Sequence, residues 1–518
     1  MTKQLSDVLK LSLQELALRK VAIVLWKGSH SLVSIRNFHF KSICYCDYQK
    51  YWCENVECKV SDKISKLQLP ETSTKQLRQI LKPIGLEILR WKKYHEDYLN
   101  DSSEVFEYFD VPILEKLCFT AVGTVDYRKT AEELVRCNVI DILKRYKLAC
   151  LYCLDHYISE FWNELPQEKR IYFYSEDEDD RLHIKIPLLQ FCWPYIIKGE
   201  EYKLVGMPES SSREPNVFYQ HIFTYSSFAG NKTAVKYFFQ KLSLEKREAC
   251  IVNAVRHALG TGVGELNNYP WRFPKENVSE VVCYLLSLMT PEQQTLIFSL
   301  RPADVLGCFL DWPWQDAFLD TAEAMWTWMQ CDDLERRARN YNNLLNKMER
   351  KIQNFDYCLP NLYQKFFLRS SSDFRKYFVD RECYYGTFFN ELFNIQDTET
   401  INLILKIVDP EDRMRLALSK YTFERFYHFI SIDQGHVVEM CIRETGLSKE
   451  DKKRMKEAFM QSLKRRDNEQ IELGTPKWIR FFEFLDETNP NIQSKRSPDD
   501  ETLTETKKLC CEKEGNSN

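Results

Sequence analysis

The sequence predicts an all-α protein built from helical repeats, and two observations carry that prediction. Six helix-start signatures recur along the second half of the chain, roughly 38 to 47 residues apart. Glycine (15) and proline (18) are scarce among the 518 residues, which disfavours turn-rich sandwiches and favours long helices. A period of about 20–50 residues is typical of stacked helical repeats. We therefore expect an α-solenoid of helical hairpins, about 40 residues each, after a helical N-terminal region.

The six signatures share one physical mechanism. Ser, Thr or Asp at the N-cap accepts hydrogen bonds from first-turn amides, Pro at the next position has no amide to lose, and Glu complements the positive helix end. The signatures begin at Ser243, Thr290, Asp332, Ser371, Asp409 and Ser448. Carried back toward the N-terminus, the same spacing reaches Leu165-Pro-Gln-Glu, so we expect the array to begin before Ser243.

Three regions follow from these patterns. Residues 1–110 form a helical N-terminal region, residues 111–487 the helical repeat array, and residues 488–518 a disordered polar tail without apolar period. In the first region, the apolar residues between Leu9 and Val21 predict an amphipathic helix. A second helix is expected from Thr74 to about Leu99, despite Pro83 and Gly85, residues that can kink or split a helix.

Composition narrows the possible functions. Hydrophobic residues make up 44% of the chain, so it is not a disordered protein, and the net charge of −4 is spread too evenly for a nucleic-acid-binding face. The first residues do not form a secretory signal, and no stretch approaches the ~20 apolar residues of a membrane span. We expect a cytoplasmic or nuclear protein that is not secreted, with its 18 cysteines reduced.

The stretch Phe223–Leu242 resembles the helix–turn–helix core of an ankyrin repeat. Ala229-Gly230-Asn231 is similar to that family's inter-helix turn, and Val235, Phe238 and Phe239 match the apolar face of its second helix. The chain lacks the family's Thr-Pro-Leu-His tetrapeptide, and its period is nearer about 39 than about 33 residues. The resemblance implies a degenerate ankyrin-like array. Two phrases, Phe309-Leu-Asp-Trp-Pro-Trp and Lys144-Arg-Tyr-Lys-Leu-Ala-Cys, are also similar to a lineage-expanded arthropod family.

The N-terminal segment is similar to a SOCS box, the element that docks elongin C and a cullin. Leu11-Ser-Leu-Gln-Glu-Leu-Ala-Leu-Arg-Lys-Val resembles its first helix, and Leu67-Gln-Leu-Pro its cullin-contacting segment. Ala17 stands where the family has cysteine, and the box here precedes the repeats instead of following them. The resemblance implies five partner-binding residues: Leu13, Ala17, Val21, Leu69 and Pro70. The alternative is that the leucines simply face the protein core.

Candidate chemistry is sparse in this sequence. Cys44, Cys46, Cys53 and Cys58 supply enough zinc ligands, but their spacing is not that of a zinc site, so we expect no metal there. Cys150-x-x-Cys153 with His156 would share one face of a helix, which a core stripe explains more simply. Gly260-Thr-Gly-Val-Gly lacks the phosphate-loop lysine, and the acidic run Glu176–Asp180 lacks a calcium-loop pattern. We identify no catalytic, cofactor-binding or metal-binding residue.

The sequence therefore predicts a protein-binding helical repeat scaffold that is not an enzyme and needs no cofactor. Its partners would be proteins of unknown identity, with no nucleic acid and no membrane. The alternative function is a substrate-recruiting adaptor of a cullin-type ubiquitin ligase, with elongin C as a further partner. A third hypothesis, a hydrolase or transferase with a helical fold, is supported by no residue that we identify.

Overall fold

The computed structural model is all-α in the residues that it describes. These are residues 11–39, 48–100, 106–175, 189–204, 215–260, 273–353, 359, 361–444, 447–464 and 474–486. Within these ranges no strand occurs, and the β contact is one isolated antiparallel bridge between Phe119 and Val125. The chain forms two compact units, Met1–Phe378 and Val379–Asn518. The all-α prediction is confirmed, and the predicted 488–518 tail lies outside the described residues.

The first unit holds helices α1 to α20 and the beginning of α21. Its helices before the solenoid are α1 Leu13–Trp26, α2 Ser29–Arg36, α3 Tyr48–Trp52, α4 Cys58–Ser61, α5 Glu71–Leu99, α6 Val111–Leu114, α7 Tyr127–Arg136, α8 Ile142–Leu151, α9 Asp155–Glu164, α10 Gln167–Phe173 and α11 Leu189–Lys198. A π-helical turn, Cys53–Glu57, joins α3 to α4, and 3-10 turns cover Ile64–Leu67, Glu201–Leu204 and Trp314–Ala317.

The solenoid of the first unit follows from α12 onward. Its helices are α12 Pro215–Ala229, α13 Lys232–Lys241, α14 Leu244–Gly260, α15 Lys275–Leu288, α16 Pro291–Leu300, α17 Pro302–Cys308, α18 Phe318–Met329, α19 Leu334–Gln353, α20 Leu362–Arg369 and α21 Ser372–Tyr385. Helices two apart in the chain pack on each other without interruption from α12 on α14 to α18 on α20. This stacking of successive hairpins is the packing that defines an α-solenoid.

The second unit continues with the same hairpins. Its helices are α22 Thr387–Asn394, α23 Thr398–Ile407, α24 Pro410–Ala417, α25 Lys420–Ser431, α26 Gly435–Glu444, α27 Lys449–Lys464 and α28 Pro476–Asp486. Helix α22 packs on α25 and α23 packs on α26, so equivalent helices of two hairpins stack, and the short α24 links them.

One turn recurs where helices of a hairpin meet. A residue with positive φ ends the first helix, and the amide of the next residue donates to the carbonyl five residues back, which is a Schellman motif. The positive-φ residues are Cys153, Gly199, Gly230, Gln396 and Asp433. In two hairpins the following residue also caps the next helix: the Asn231 side chain accepts from the Ala234 amide and Asp397 from the Thr400 amide.

The six predicted helix starts are all helix starts in the structure. Five carry the expected side-chain cap, because Ser243, Thr290, Asp333, Ser371 and Ser448 each accept from the amide three residues ahead. Thr290 forms the predicted capping box with Gln293. Asp409 is the exception: it occupies the N-cap of α24, but its side chain makes no capping hydrogen bond.

Long polar side chains four residues after several caps tie consecutive helices together. Arg247 donates to the Phe239 and Gln240 carbonyls, and Arg413 donates to those of Leu405 and Lys406. Gln294 and Arg337 reach back in the same way to Leu286 and Cys331. These donors satisfy carbonyls at or just beyond the C-terminus of the preceding helix, where a positive charge also complements the helix dipole. This feature was not predicted, although the sequence shows which residue lies four positions after each cap.

Helix α5 bears out the predicted helix from Thr74 to about Leu99, and Pro83 and Gly85 do not split it. It runs unbroken from Glu71 to Leu99 through Pro83 and Gly85. A Cβ on Gly85 would lie 2.2 Å from the Trp26 ring, so glycine is needed there for α1 to approach α5. Packing against the buried Trp26 thus stabilises this helix and offsets Pro83 and Gly85, which both weaken an isolated helix.

Candidate functional site

Helix α1 is a well-formed helix with a defined start. Ser12 and Glu15 make a reciprocal capping box, in which the Glu15 amide donates to Ser12 Oγ and the Ser12 amide donates to the Glu15 carboxylate. The hydrogen bond from the Ser12 amide lowers the pKa of Glu15. Such a cap is worth about 0.5–2 kcal/mol and fixes where the helix begins.

Tryptophan and arginine anchor α1 on the first unit. Trp26 is fully buried, donates from Nε1 to the Leu81 carbonyl at 3.0 Å and stacks on Trp52 at 5.6 Å between ring centroids. On the other side, Arg19 donates to the Val122 carbonyl at 2.6 Å and lies over the Trp312 ring. The buried positions Leu18, Arg19, Ala22 and Trp26 therefore form the core-facing stripe of α1.

The opposite side of α1 is exposed along its whole length. Leu13 is 87% and Val24 is 61% exposed, and Ala17 and Lys20 between them are also exposed. These positions are separated by four, three and four residues, so they lie on one side of the helix over three turns. We name Leu13, Ala17, Lys20, Val24 and the adjoining Lys27 the α1 face.

Other exposed leucines of the first unit show how the α1 face differs. Leu244 and Leu334 are 71% and 73% exposed and, like Leu13, each is the first residue of its helix. In α14 the row continues into the polar Glu248 and then the buried Ile251, and in α19 it reaches the buried Tyr341. An exposed leucine at a helix start is thus ordinary in this protein, whereas on α1 the row stays exposed from Leu13 through Ala17 and Lys20 to Val24.

Of the five residues named by the SOCS-box resemblance, three lie on or beside the α1 face. Leu13 and Ala17 belong to it, and Val21 is half-buried at its edge. Leu69 is half-buried and Pro70 is exposed at the N-cap of α5. Gln14 donates to Gln76 at 3.1 Å, so the start of α1 lies beside the first turns of α5. The alternative that the leucines of this helix face the core holds for Leu18 and not for Leu13, because the core stripe is displaced around the helix.

The predicted cysteine cluster lies only partly within the described residues. Cys44 and Cys46 are outside them, and the described residues include no group of three or more His, Cys, Asp and Glu side chains suited to a metal. Cys53 donates to Glu57 at 3.3 Å, and burial, with the nearby Glu57 carboxylate, raises the pKa of the thiol to about 12. A thiol with that pKa stays protonated at neutral pH and is a poor ligand or nucleophile.

The Cys150, Cys153 and His156 set does not share a helix face. Helix α8 ends at Leu151, Cys153 adopts a positive φ in the turn, and His156 is exposed on α9. Burial raises the pKa of both thiols well above the usual value. These cysteines fill the core at a hairpin turn. The acidic run Glu176–Asp180 and residues 261–264 of the glycine-rich loop lie outside the described residues.

A buried pair of carboxyl groups was not predicted from the sequence. Glu87 of α5 and Glu276 of α15 are both buried, and Arg90 lies 2.9 Å from the Glu276 carboxylate. Burial is the main cause that raises the pKa of Glu87 to about 8, and the nearby Glu276 adds to it while Arg90 opposes it. No pattern in the sequence indicates this pair, because residues 87 and 276 come together only in the tertiary structure.

No known protein family's model matches this chain, and no curated protein matches it significantly. In the part of the chain that the structure describes, no helix is long and apolar enough to cross a membrane.

Proposed function

We propose that this protein is a protein-binding helical repeat scaffold and that the α1 face holds a partner. The observation that carries the proposal is the row of exposed apolar side chains, Leu13, Ala17 and Val24, on a helix whose opposite side is firmly packed. When a partner covers apolar surface that was in water, each Å² contributes roughly 25 cal/mol of favourable binding free energy. Clustered exposed apolar side chains are typical of interaction sites, whereas single ones are not.

The anchoring of α1 supports the proposal energetically. Because Ser12 caps the helix and Trp26 and Arg19 fix it to the first unit, the face exists before a partner arrives. Binding then loses little conformational entropy in ordering the helix, so more of the contact energy appears as affinity. The solenoid adds a long stacked framework, which in repeat proteins commonly serves to display binding surfaces.

A cytoplasmic or nuclear location belongs to the same proposal. Cys150, Cys283 and Cys441 are among the free, buried thiols of the described residues. Reducing compartments keep such thiols free.

The test compares two double variants of the full chain in a quantitative co-purification from cells. We expect Leu13→Glu with Val24→Glu to lose the specific partners, because a carboxylate at either position repels the covering surface. The matched control is Leu244→Glu with Leu334→Glu, which changes two leucines of similar exposure at other helix starts. If partners survive the first change, or are lost equally in both variants, the α1 face is not the binding site. Circular dichroism and thermal unfolding of each variant check that the fold is intact.

The second candidate function is a cullin-ligase adaptor. It is favoured by the outward direction of Leu13 and Ala17 on α1 and by Pro70 being exposed at the start of the neighbouring α5. Purified elongin B–elongin C complex mixed with the full chain tests it. We expect a complex in size-exclusion chromatography that Ala17→Glu disrupts. Absence of a complex with the unaltered chain rejects the adaptor function and leaves the scaffold proposal standing.

A further inference from the structure

The α1 face has the spacing of a helix-packing seam. Its positions 13, 17, 20, 24 and 27 follow alternating steps of four and three residues. This is the a/d pattern of two heptads, which faces a second helix crossing at a shallow angle. A neighbouring helix is therefore the element whose shape fits this face. Within the seam, Leu13, Ala17 and Val24 are apolar, and Lys20 takes one central position.

The charge of the seam is positive. Lys20 lies in its middle, and no described carboxylate forms an ion pair with it. Lys27, the C-cap residue at the end of the seam, keeps its positive charge there while its Nζ donates to the Leu117 carbonyl at 2.9 Å. The nearest carboxylate on the helix, Glu15, is engaged with Ser12 at the cap. A charged residue at a single seam position selects the register and the partner, because the facing helix must supply the opposite charge.

Two other occupants fit this charge poorly. A second copy of the chain, packed about a two-fold axis, would bring Lys20 of one copy close to Lys20 of the other, since it lies midway between the two ends of the seam, Leu13 and Lys27. The ten residues that precede α1 carry two lysines and one aspartate, so they do not neutralise the seam either. An acidic helix from another protein satisfies both the spacing and the charge.

We propose that the α1 face docks an acidic amphipathic helix of a partner protein, with apolar residues against Leu13, Ala17 and Val24 and carboxylates opposite Lys20 and Lys27. This proposal rests on the protein-binding function proposed above and names the chemical class of the partner. Apolar contact supplies most of the binding energy, and the lysines set the register and exclude helices that lack acidic residues.

The experiment places the photocrosslinking residue p-benzoylphenylalanine at position 17 of the full chain in cells, in the centre of the seam. Cross-linked peptides are then sequenced by mass spectrometry. We expect peptides from another protein with a heptad pattern of apolar residues and flanking Asp or Glu. Lys20→Glu with Lys27→Glu should reduce the cross-linked yield roughly fivefold or more. The matched control, Lys169→Glu with Lys241→Glu, reverses two exposed lysines outside the face and should leave the yield unchanged.

The outcomes separate this inference from the proposed function. A partner peptide without acidic residues, or a yield that the Lys20 and Lys27 reversals leave unaltered, overturns the acidic helix and keeps the binding function. Cross-links to residues 1–10 or to a second copy of the chain assign the face to those occupants and overturn the inference. No cross-link above that of the same residue placed at Leu244 overturns both.

Discussion

The first unit buries an ion pair that joins separate segments of the chain, whereas the described packing between helices of the second unit is mainly apolar. In the first, Lys351 pairs with Asp311 at 2.7 Å, and Lys92 pairs with Glu96 at the same distance within α5, both almost without solvent exposure. The second unit also buries an ion pair, but its members, Arg381 and Glu382, are neighbours in sequence. The side chains between α22, α23, α25 and α26 are mostly apolar; they include Phe389, Phe393, Ile401, Ile404, Phe426, Phe429 and Ile430.

The difference shows that the same helical hairpins stack on two kinds of core. Burial lowers the pKa of Lys92 and raises the pKa of Glu96, although the two groups face each other, so desolvation outweighs their attraction. Such pairs add little net stability but are costly to break, because the remaining charge stays buried alone. The apolar packing between α22, α23, α25 and α26 has no such dependence on charge or pH. Charge removal and pH should therefore affect the packing between helices more in the first unit than in the second.

The largest effect is expected from removing one buried charge. Lys351→Met removes the cation 2.7 Å from the buried Asp311, which keeps the hydrogen bond from Ser279 and the weaker attraction of Lys275, and should cost roughly 3–5 kcal/mol of unfolding free energy in the first unit. Adding Asp311→Asn removes the orphan charge and should recover much of that loss. Denaturant unfolding, followed by hydrogen exchange in α19, measures both. A cost below about 1 kcal/mol for the single variant would mean that water reaches Asp311 and that this core is not sealed.

The second effect concerns pH and Glu87. Its pKa of about 8 in the folded state exceeds the usual value of 4.5, so between these values the folded chain holds a proton that the unfolded chain has lost. The contribution of Glu87 to stability is therefore complete below pH 4.5 and is lost as the pH rises toward 8, at about 1.36 kcal/mol per pH unit as an upper limit.

Glu87→Gln keeps the side chain neutral and should remove this decline from the first unit. Thermal unfolding from pH 5 to 9 measures it, with the exposed Glu248→Gln as the control. An equal pH dependence in the unaltered chain and in Glu87→Gln would contradict the assignment.

The third effect compares the repeated turn in the two units. Gly230 has positive φ, and a Cβ there would lie 2.8 Å from Val278, so Gly230→Ala should destabilise the first unit by more than about 1 kcal/mol. Gln396 occupies the same turn position at φ 56° with a Cβ. Gln396→Gly should change stability little, because relief of the left-handed strain offsets the lost side chain and the added chain entropy. Thermal unfolding of both variants ranks them, and the opposite order would show that the turns are not equivalent.

The smallest effect separates two caps that look alike in sequence. Thr290 and Asp409 each precede Pro-Glu, but the Thr290 side chain accepts from Gln293 whereas that of Asp409 makes no capping bond. Thr290→Ala should cost about 0.5–2 kcal/mol and speed hydrogen exchange first in α16. Asp409→Ala should cost only a few tenths, from the lost charge at the helix N-terminus. Equal losses would show that Asp409 caps α24 in solution.

The boundaries of the repeats were readable from local residues. Helix starts at Ser243, Thr290 and Ser448 follow from caps whose hydrogen bonds involve neighbours three residues away. The prediction of one continuous helix was wrong for Cys150 to His156, where the apolar stripe continues but a turn with positive φ at Cys153 interrupts the helix. Apolar periodicity alone does not reveal such a turn, because both sides of it are buried.

Only part of the candidate site could be predicted from the sequence. Leu13, Ala17 and Val21 were identified by resemblance, but which side of α1 faces water depends on Trp26, Gly85 and Arg19 and on partners up to about a hundred residues away. Lys20 and Val24 were missed for the same reason, since the sequence shows apolar residues on several sides of this helix.

The sequence by itself determined the all-α class, the helix starts and the spacing of the hairpins, because caps and periodicity act over one or two turns. Only the tertiary structure decided which apolar row of α1 is left in solvent, which lysines and carboxylates are buried together and where Glu87 meets Glu276. Those outcomes depend on contacts between distant segments, and the burial they produce sets both the exposed area and the pKa of each group.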